Sequence, residues 1–154
     1  LACTIHAGEG AGADSVRDAV HGCGCDRVGH GTRIIEDRSL LDYINDRRIC
    51  VECCLTSNVQ TRAVADFASH PVRQYYDAGI IVSLNTDNRL MSATTVTEEY
   101  WRAHRYLGFT WEELVDLSLM GFDSAFMHRP AKLAMIEKVR AEIAELEAAE
   151  AVAA

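Results

Sequence analysis

Four short apolar runs mark the first half of the chain: Leu1–Ile5, Asp26–Val28, Arg48–Cys54 and Gly79–Leu84. Their hydrophobicity is nearly continuous and not alternating, which predicts strands covered on both faces, as in a parallel sheet. Each run gives way to a polar or glycine-rich turn: His6-Ala7-Gly8-Glu9-Gly10, Gly29-His30-Gly31-Thr32-Arg33, Thr56-Ser57-Asn58 and Asn85-Thr86-Asp87-Asn88. Helical spacing fills the gaps. Val16, Ala19 and Val20 form one stripe of Ala13–His21, with Asp14 or Ser15 as N-cap. Leu40, Leu41 and Ile44 do the same in Ser39–Asp46, capped by Ser39. Pro71–Asp77 opens on a proline and stops just before Gly79. The strand ends recur at roughly 23 to 33 residues, about one βα unit each.

After the fourth run the pattern is helical. Thr95–Tyr106, Trp111–Met120 and Arg129–Ala148 are predicted helices, the second opened by the capping box Thr110-Trp111-Glu112-Glu113. From Ala141 to Ala154 the chain is rich in alanine and glutamate with little to bury, so fraying is expected there. Residues 1–92 thus read as four βα units and residues 93–154 as helices packed on them. Four such units in series fit an open doubly wound sheet or half of an eight-stranded barrel, which takes about 250 residues when whole.

Composition narrows the partners. Fifteen basic against 23 acidic side chains leave the 154 residues with a net charge of −8, which disfavours nucleic acid and acidic membrane surfaces. No run of about 18 apolar residues exists to span a bilayer, and no basic-then-apolar leader is visible, so a cytoplasmic location is expected. Of the six cysteines, Cys53 and Cys54 are adjacent and Cys23 and Cys25 are two apart. Neither spacing suits a disulfide scaffold or a thiolate zinc site, and the thiols are read as small hydrophobes in a reduced core. The chain opens on Leu1 inside an apolar run, as expected of a piece of a longer protein.

In both candidate architectures functional groups collect at the C-terminal ends of strands. There stand His6 and Glu9 after the first run, His30 after the second, Glu52 and Ser57 around the third, and Asp87-Asn88 after the fourth. Two imidazoles with carboxylates suit zinc and hydrolysis. An imidazole beside bound water can act as general base, and a carboxylic acid can deliver a proton. Each residue alone has a plainer reading: Glu9 at a helix start, Asp87 in a turn, Gly29 and Gly31 in a tight bend. Those readings do not explain the same offset after four successive strands.

Thr4-Ile5-His6-Ala7-Gly8-Glu9, Arg27-Val28-Gly29-His30-Gly31 and Ser83-Leu84-Asn85-Thr86-Asp87-Asn88, in this order, resemble the successive signatures of the adenosine deaminase family. Glu52-Cys53-Cys54-Leu55-Thr56-Ser57-Asn58 resembles that family's motif after the seventh strand, with Leu55 where a proline is usual, and the likeness runs through Ser124-Ala125-Phe126. The resemblance implies the C-terminal half of a TIM-type (β/α)8 barrel with additional C-terminal helices. It also implies zinc-dependent hydrolysis of adenosine and 2'-deoxyadenosine to the inosine and ammonia. By that resemblance His6 and Asp87 are zinc ligands, Glu9 protonates purine N1, and His30 orients or deprotonates the zinc-bound water. Gly8 and Asn88 contact the purine nucleoside substrate, while Glu52 and Ser57 steady His30 and the metal.

Two departures stand out. Asn88 replaces a second aspartate common in the family, and its amide donates to purine N7 without needing a proton of its own. The family's His-x-His pair and first four strands are absent. Two of four zinc ligands do not hold the ion tightly, so the isolated chain is expected to be inactive. The alternatives are deamination of another 6-aminopurine, such as adenine or an aminofutalosine-type nucleoside, and an inactive half-barrel. Open strand edges would let the latter self-associate or pair with the missing N-terminal half.

Overall fold

The computed structural model describes residues 1–153. Strands β1 (Thr4–Ala7), β2 (Arg27–His30), β3 (Cys50–Cys53) and β4 (Val82–Leu84) form one sheet in the order β1-β2-β3-β4. Every pair is parallel. A doubly wound sheet reverses its strand order at a switch point, and this order has none. The sequential arc decides between the two expected architectures in favour of the half-barrel.

Between β1 and β2 runs α1 (Ala13–Arg17), which widens into a π turn over Asp18–Gly22. A single 3-10 turn (Ile34–Glu36) and α2 (Arg38–Asp46) lead to β3, and α3 (Leu55–Gln60) and α4 (Val72–Asp77) lead to β4. Beyond the sheet lie α5 (Arg89–Ser92), α6 (Val96–Leu107), α7 (Trp111–Asp123) and α8 (Arg129–Ala153). Thr110 and Glu113 close the expected capping box, and Thr95 with Glu98 closes a second one.

Local details differ from the sequence reading, each for a physical reason. The cap of α2 is Asp37, whose carboxylate accepts from the amides of Ser39 and Leu40. Gly12, without a side chain to cap, precedes α1, and Ser15 Oγ donates back to its carbonyl. The strands alternate. Ile5, Val28, Val51 and Val82 stand in register as an apolar row, the last three fully buried. His6, Gly29, Glu52 and Ser83 form the adjoining row, which by the two-residue period points to the other face. That second face lines a polar interior, so only one face is continuously apolar. Arg27 shares it, donating to the carbonyl of Ser124 at 3.1 Å and lying 3.9 Å over the ring of Phe126.

Thr56-Ser57-Asn58, expected as a turn, is the first turn of α3. Glu99 of α6 makes this segment helical. Its fully buried carboxylate accepts from the Thr56 amide at 3.1 Å, from the Thr56 hydroxyl, from Thr94 Oγ1 at 2.8 Å and from Arg102 at 3.3 Å. One of the unpaired amides at a helix start is thereby satisfied from another element. Glu99→Ala leaves the Thr56 amide without its acceptor and the Arg102 guanidinium without its counter-charge. It is expected to cost about 3–5 kcal/mol, seen as a lower urea midpoint at unchanged slope.

Candidate active site

The register that sets His6 beside Gly29 allows the site to exist. A Cβ on Gly29 would lie 2.6 Å from His6 Cδ2, so the glycine lets the His6 imidazole rest against β2. Two other site residues sit in the left-handed region without being glycine: His30 at φ 66° and Asp87 at φ 55°. Such conformations cost on the order of 1–3 kcal/mol each and persist only where the surroundings impose them. Around His30 they do. The Gly31 amide donates to the Ala7 carbonyl at 3.0 Å, and the buried Tyr75 hydroxyl donates to the Gly31 carbonyl at 2.8 Å.

His30 is 2% exposed, and its Nε2 lies 3.3 Å from His6 Nδ1 and 3.4 Å from Glu9 Oε2. The two imidazoles meet edge to face with centroids 4.6 Å apart. Burial pushes the His30 pKa below the ordinary histidine value, against the opposing pull of Glu9. Glu9 is held in turn by Thr61 Oγ1, which donates to Oε1 at 3.0 Å. Ser57 Oγ donates to Asp87 Oδ2 at 2.7 Å. His6, His30, Glu52 and Asp87 line one cavity of about 320 Å³.

Other candidates have different partners. Glu52 accepts from Thr4 Oγ1 at 2.9 Å and forms an ion pair with Arg27 Nε at 2.7 Å, so its partners lie along the sheet interior and not at His30. The Gly8 amide donates to Ser15 Oγ at 2.9 Å, and its carbonyl accepts from Thr32. Asn88 caps α5, its Oδ1 accepting from the Leu90 and Met91 amides at 3.1 Å each. Two residues that sequence reasoning passed over touch the centre instead. Asn58 Nδ2 lies 3.0 Å from His30 Nδ1, and His70 Nε2 lies 3.1 Å from Asn58 Oδ1. Asn58 closes the motif around β3, but its signal is that of a turn residue. His70 has only its place before Pro71 to mark it.

His6 and Asp87 offer the nitrogen and oxygen donors that zinc accepts. Among the described residues, however, no three His, Cys, Asp or Glu side chains converge to hold a metal. Zinc takes three or four protein ligands, so these residues alone do not make its site. The buried thiols supply no alternative nucleophile. Burial pushes Cys54, on the cavity wall, up to about 12 and Cys25 up to about 11, far from the thiolate a nucleophile requires.

Gly29→Ala is expected to push His6 off β2 and to cost about 1–3 kcal/mol of stability, as overpacked sites do. Loss of the His6–His30 contact in NMR and a lower urea midpoint would show both effects. Burial, helped by the neighbouring His30, pushes His70 from 6.5 down to about 3. The unfolded chain therefore binds a proton that the folded chain refuses between those values, and stability falls as pH drops from 6.5 toward 3. His70→Gln is expected to flatten that part of a thermal-unfolding pH profile.

Known proteins share the sequence and the fold of this chain. The sequence profile of the family described as adenosine deaminase matches residues 1–142. The adenosine deaminase of Klebsiella pneumoniae is 40% identical over 136 residues, which are 88% of this chain and 41% of that protein. That of Escherichia coli O1:K1 is 40% identical over 139 residues, 90% of this chain and 42% of that protein. The chain thus spans about two-fifths of the length of these relatives. An adenine deaminase from Arthrobacter aurescens superposes with a TM-score of 0.88 at 25% identity, covering 93% of this chain and 44% of that one. A zinc-bound amidohydrolase from Burkholderia ambifaria gives 0.88 at 26% identity, covering 99% of this chain and 43% of that one. The profile match over residues 1–142 makes this chain, a four-stranded parallel arc with imidazoles and carboxylates at its strand ends, a member of the adenosine deaminase family.

Proposed function

We propose that the whole protein of which this chain forms part hydrolyses the 6-amino group of adenosine and 2'-deoxyadenosine. Water adds at C6, ammonia leaves, and the 6-oxo purine remains. The observation that carries this reading is the placement of buried His30, on the cavity wall, within 3.3 Å of His6 and 3.4 Å of Glu9. Zinc, held by His6 and Asp87 together with donors from outside this chain, would supply a water acidic enough to react at neutral pH.

The remaining work falls to named side chains. Addition at C6 breaks the aromatic ring unless N1 is protonated as the bond forms, and Glu9 in its carboxylic acid form delivers that proton. Thr61 fixes the other carboxyl oxygen, so the acid has one direction in which to act. His30 holds the attacking oxygen on the C6 side. Ser57 orients Asp87. Asn88 has its carbonyl committed to α5, which leaves the amide nitrogen as its group able to donate to purine N7. Gly8 presents backbone to the purine, in the turn at φ 71° that leads to Glu9. Glu52, tied to Thr4 and Arg27, keeps the floor of the cavity in place.

A second reading is favoured by one observation, the close superposition on an adenine deaminase: the substrate is another 6-aminopurine. Alone, the chain is an open arc whose β1 and β4 each pair on one side only. It is inactive in that form and pairs through those edges with the preceding half of the barrel or with itself. No helix among the described residues is long and apolar enough to cross a membrane.

The whole protein incubated with adenosine is expected to release inosine and ammonia, and a metal chelator to stop it. Glu9→Gln is expected to lower kcat by roughly 10²- to 10⁴-fold, the usual size of a general-acid contribution. A higher kcat/KM for adenine than for adenosine would shift the reading to the second substrate. No ammonia from any 6-aminopurine would end both. Inosine formation by the 154-residue chain with zinc would sink the claim that it is incomplete.

A further inference from the structure

We propose that Asn58 and His70 are positioning residues that fix the tautomer of His30, so that it presents an N–H and not a lone pair to the cavity. The backbone amide of Val72 can only donate, and it lies 3.1 Å from His70 Nδ1. That nitrogen therefore carries a lone pair. His70 is 1% exposed, and burial keeps it neutral, so its single ring hydrogen sits on Nε2.

Nε2 of His70 faces the Asn58 amide at 3.1 Å, and a donor there requires the Asn58 carbonyl oxygen. The orientation of an amide is usually ambiguous because oxygen and nitrogen look alike. Here the proton on His70 decides it. The NH2 end of Asn58 then points at His30 Nδ1, 3.0 Å away. An amide nitrogen accepts nothing, so His30 Nδ1 must be the bare nitrogen, and a neutral His30 carries its hydrogen on Nε2. That is the nitrogen 3.4 Å from Glu9 Oε2 and 3.3 Å from His6 Nδ1.

Asn58 is fully buried and both histidines nearly so, which leaves no water to compensate a wrong choice. With the hydrogen on Nδ1, or with both nitrogens protonated, two buried N–H groups would face each other across the Asn58–His30 contact. The relay thus selects between the two roles open to His30. An imidazole that donates from Nε2 can hold an oxygen that gains negative charge during addition at C6. It cannot take a proton through the same nitrogen. Its effect on rate rests on the deaminase reading above, whereas the tautomer itself does not.

The test is NMR of the whole protein labelled with 15N-histidine, in which a protonated ring nitrogen has a pyrrole-type shift and a bare one a pyridine-type shift. In the unaltered protein Nδ1 of both His30 and His70 is expected to be pyridine-type and Nε2 pyrrole-type. Asn58→Asp replaces the donor facing His30 by an acceptor, and is expected to move a proton onto His30 Nδ1. It should lower kcat by roughly 10- to 100-fold, as loss of an orienting partner does elsewhere. His70→Gln keeps a donor toward Asn58 and an acceptor toward Val72, so the His30 tautomer should survive. His70→Phe removes the donor and should give a mixture at His30. A pyrrole-type Nδ1 on His30 in the unaltered protein would overturn the proposal, as would an unchanged His30 spectrum in Asn58→Asp. Because the spectra need no substrate, the expected shifts in a protein without deaminase activity would support the relay while ending the functional reading.

Discussion

In-register parallel pairing governs what every other part of the molecule can do. His6, Gly29, Glu52 and Ser83 lie side by side across four strands, and Ile5, Val28, Val51 and Val82 lie side by side one residue earlier. A slip of one residue in any pair would exchange the polar and apolar rows on that strand. The apolar row is what binds the sheet to its helices, so the cost of burying its members in the wrong direction protects the polar row as well. The geometry of the candidate site is a by-product of core packing. The fit of His6 against Gly29 is the tightest expression of it, because only that neighbour leaves room for the ring.

The helices beyond the sheet complete the site from behind. The segment carrying Asn58 and His70 runs from α3 to α4, and each end is pinned by a different C-terminal helix. Glu99 of α6 grips Thr56 at the start of α3. Arg73 in α4 pairs with Glu113 of α7, at 2.7 and 2.8 Å, and with Asp77, while its guanidinium stacks over Tyr76 and Phe109. These contacts hold the two ends of the segment that carries Asn58 to His30. Stability and function are coupled through them.

How much of this the sequence disclosed depends on the range of the interaction responsible. The four strands, six of the eight helices and the Thr110 capping box follow from patterns within about ten residues, and those were legible. The strand order is a global property, and it alone separated a barrel arc from a doubly wound sheet. α3 was hidden because Thr, Ser and Asn compete with the backbone for hydrogen bonds and so read as a turn. The carboxylate that overrules them comes from Glu99, 43 residues away. The residues around the cavity carried a motif-level signal, but a motif names residues without naming their partners. Glu52 turns to Arg27 and Thr4, and its place beside His30 is taken by Asn58. His70 had no local signal, since its role consists entirely of contacts made in the folded chain.

The relay also has a direction in time. Asn58 follows His30 by 28 residues, and His70 follows Asn58 by 12. At about 5–20 residues per second of synthesis, His30 leaves the ribosome several seconds before the groups that set its proton. A nascent chain ending at Ser69 already owns His6, Glu9 and His30, but its central imidazole still exchanges freely between two forms. The acid–base character of the site is therefore acquired late in the life of the nascent chain.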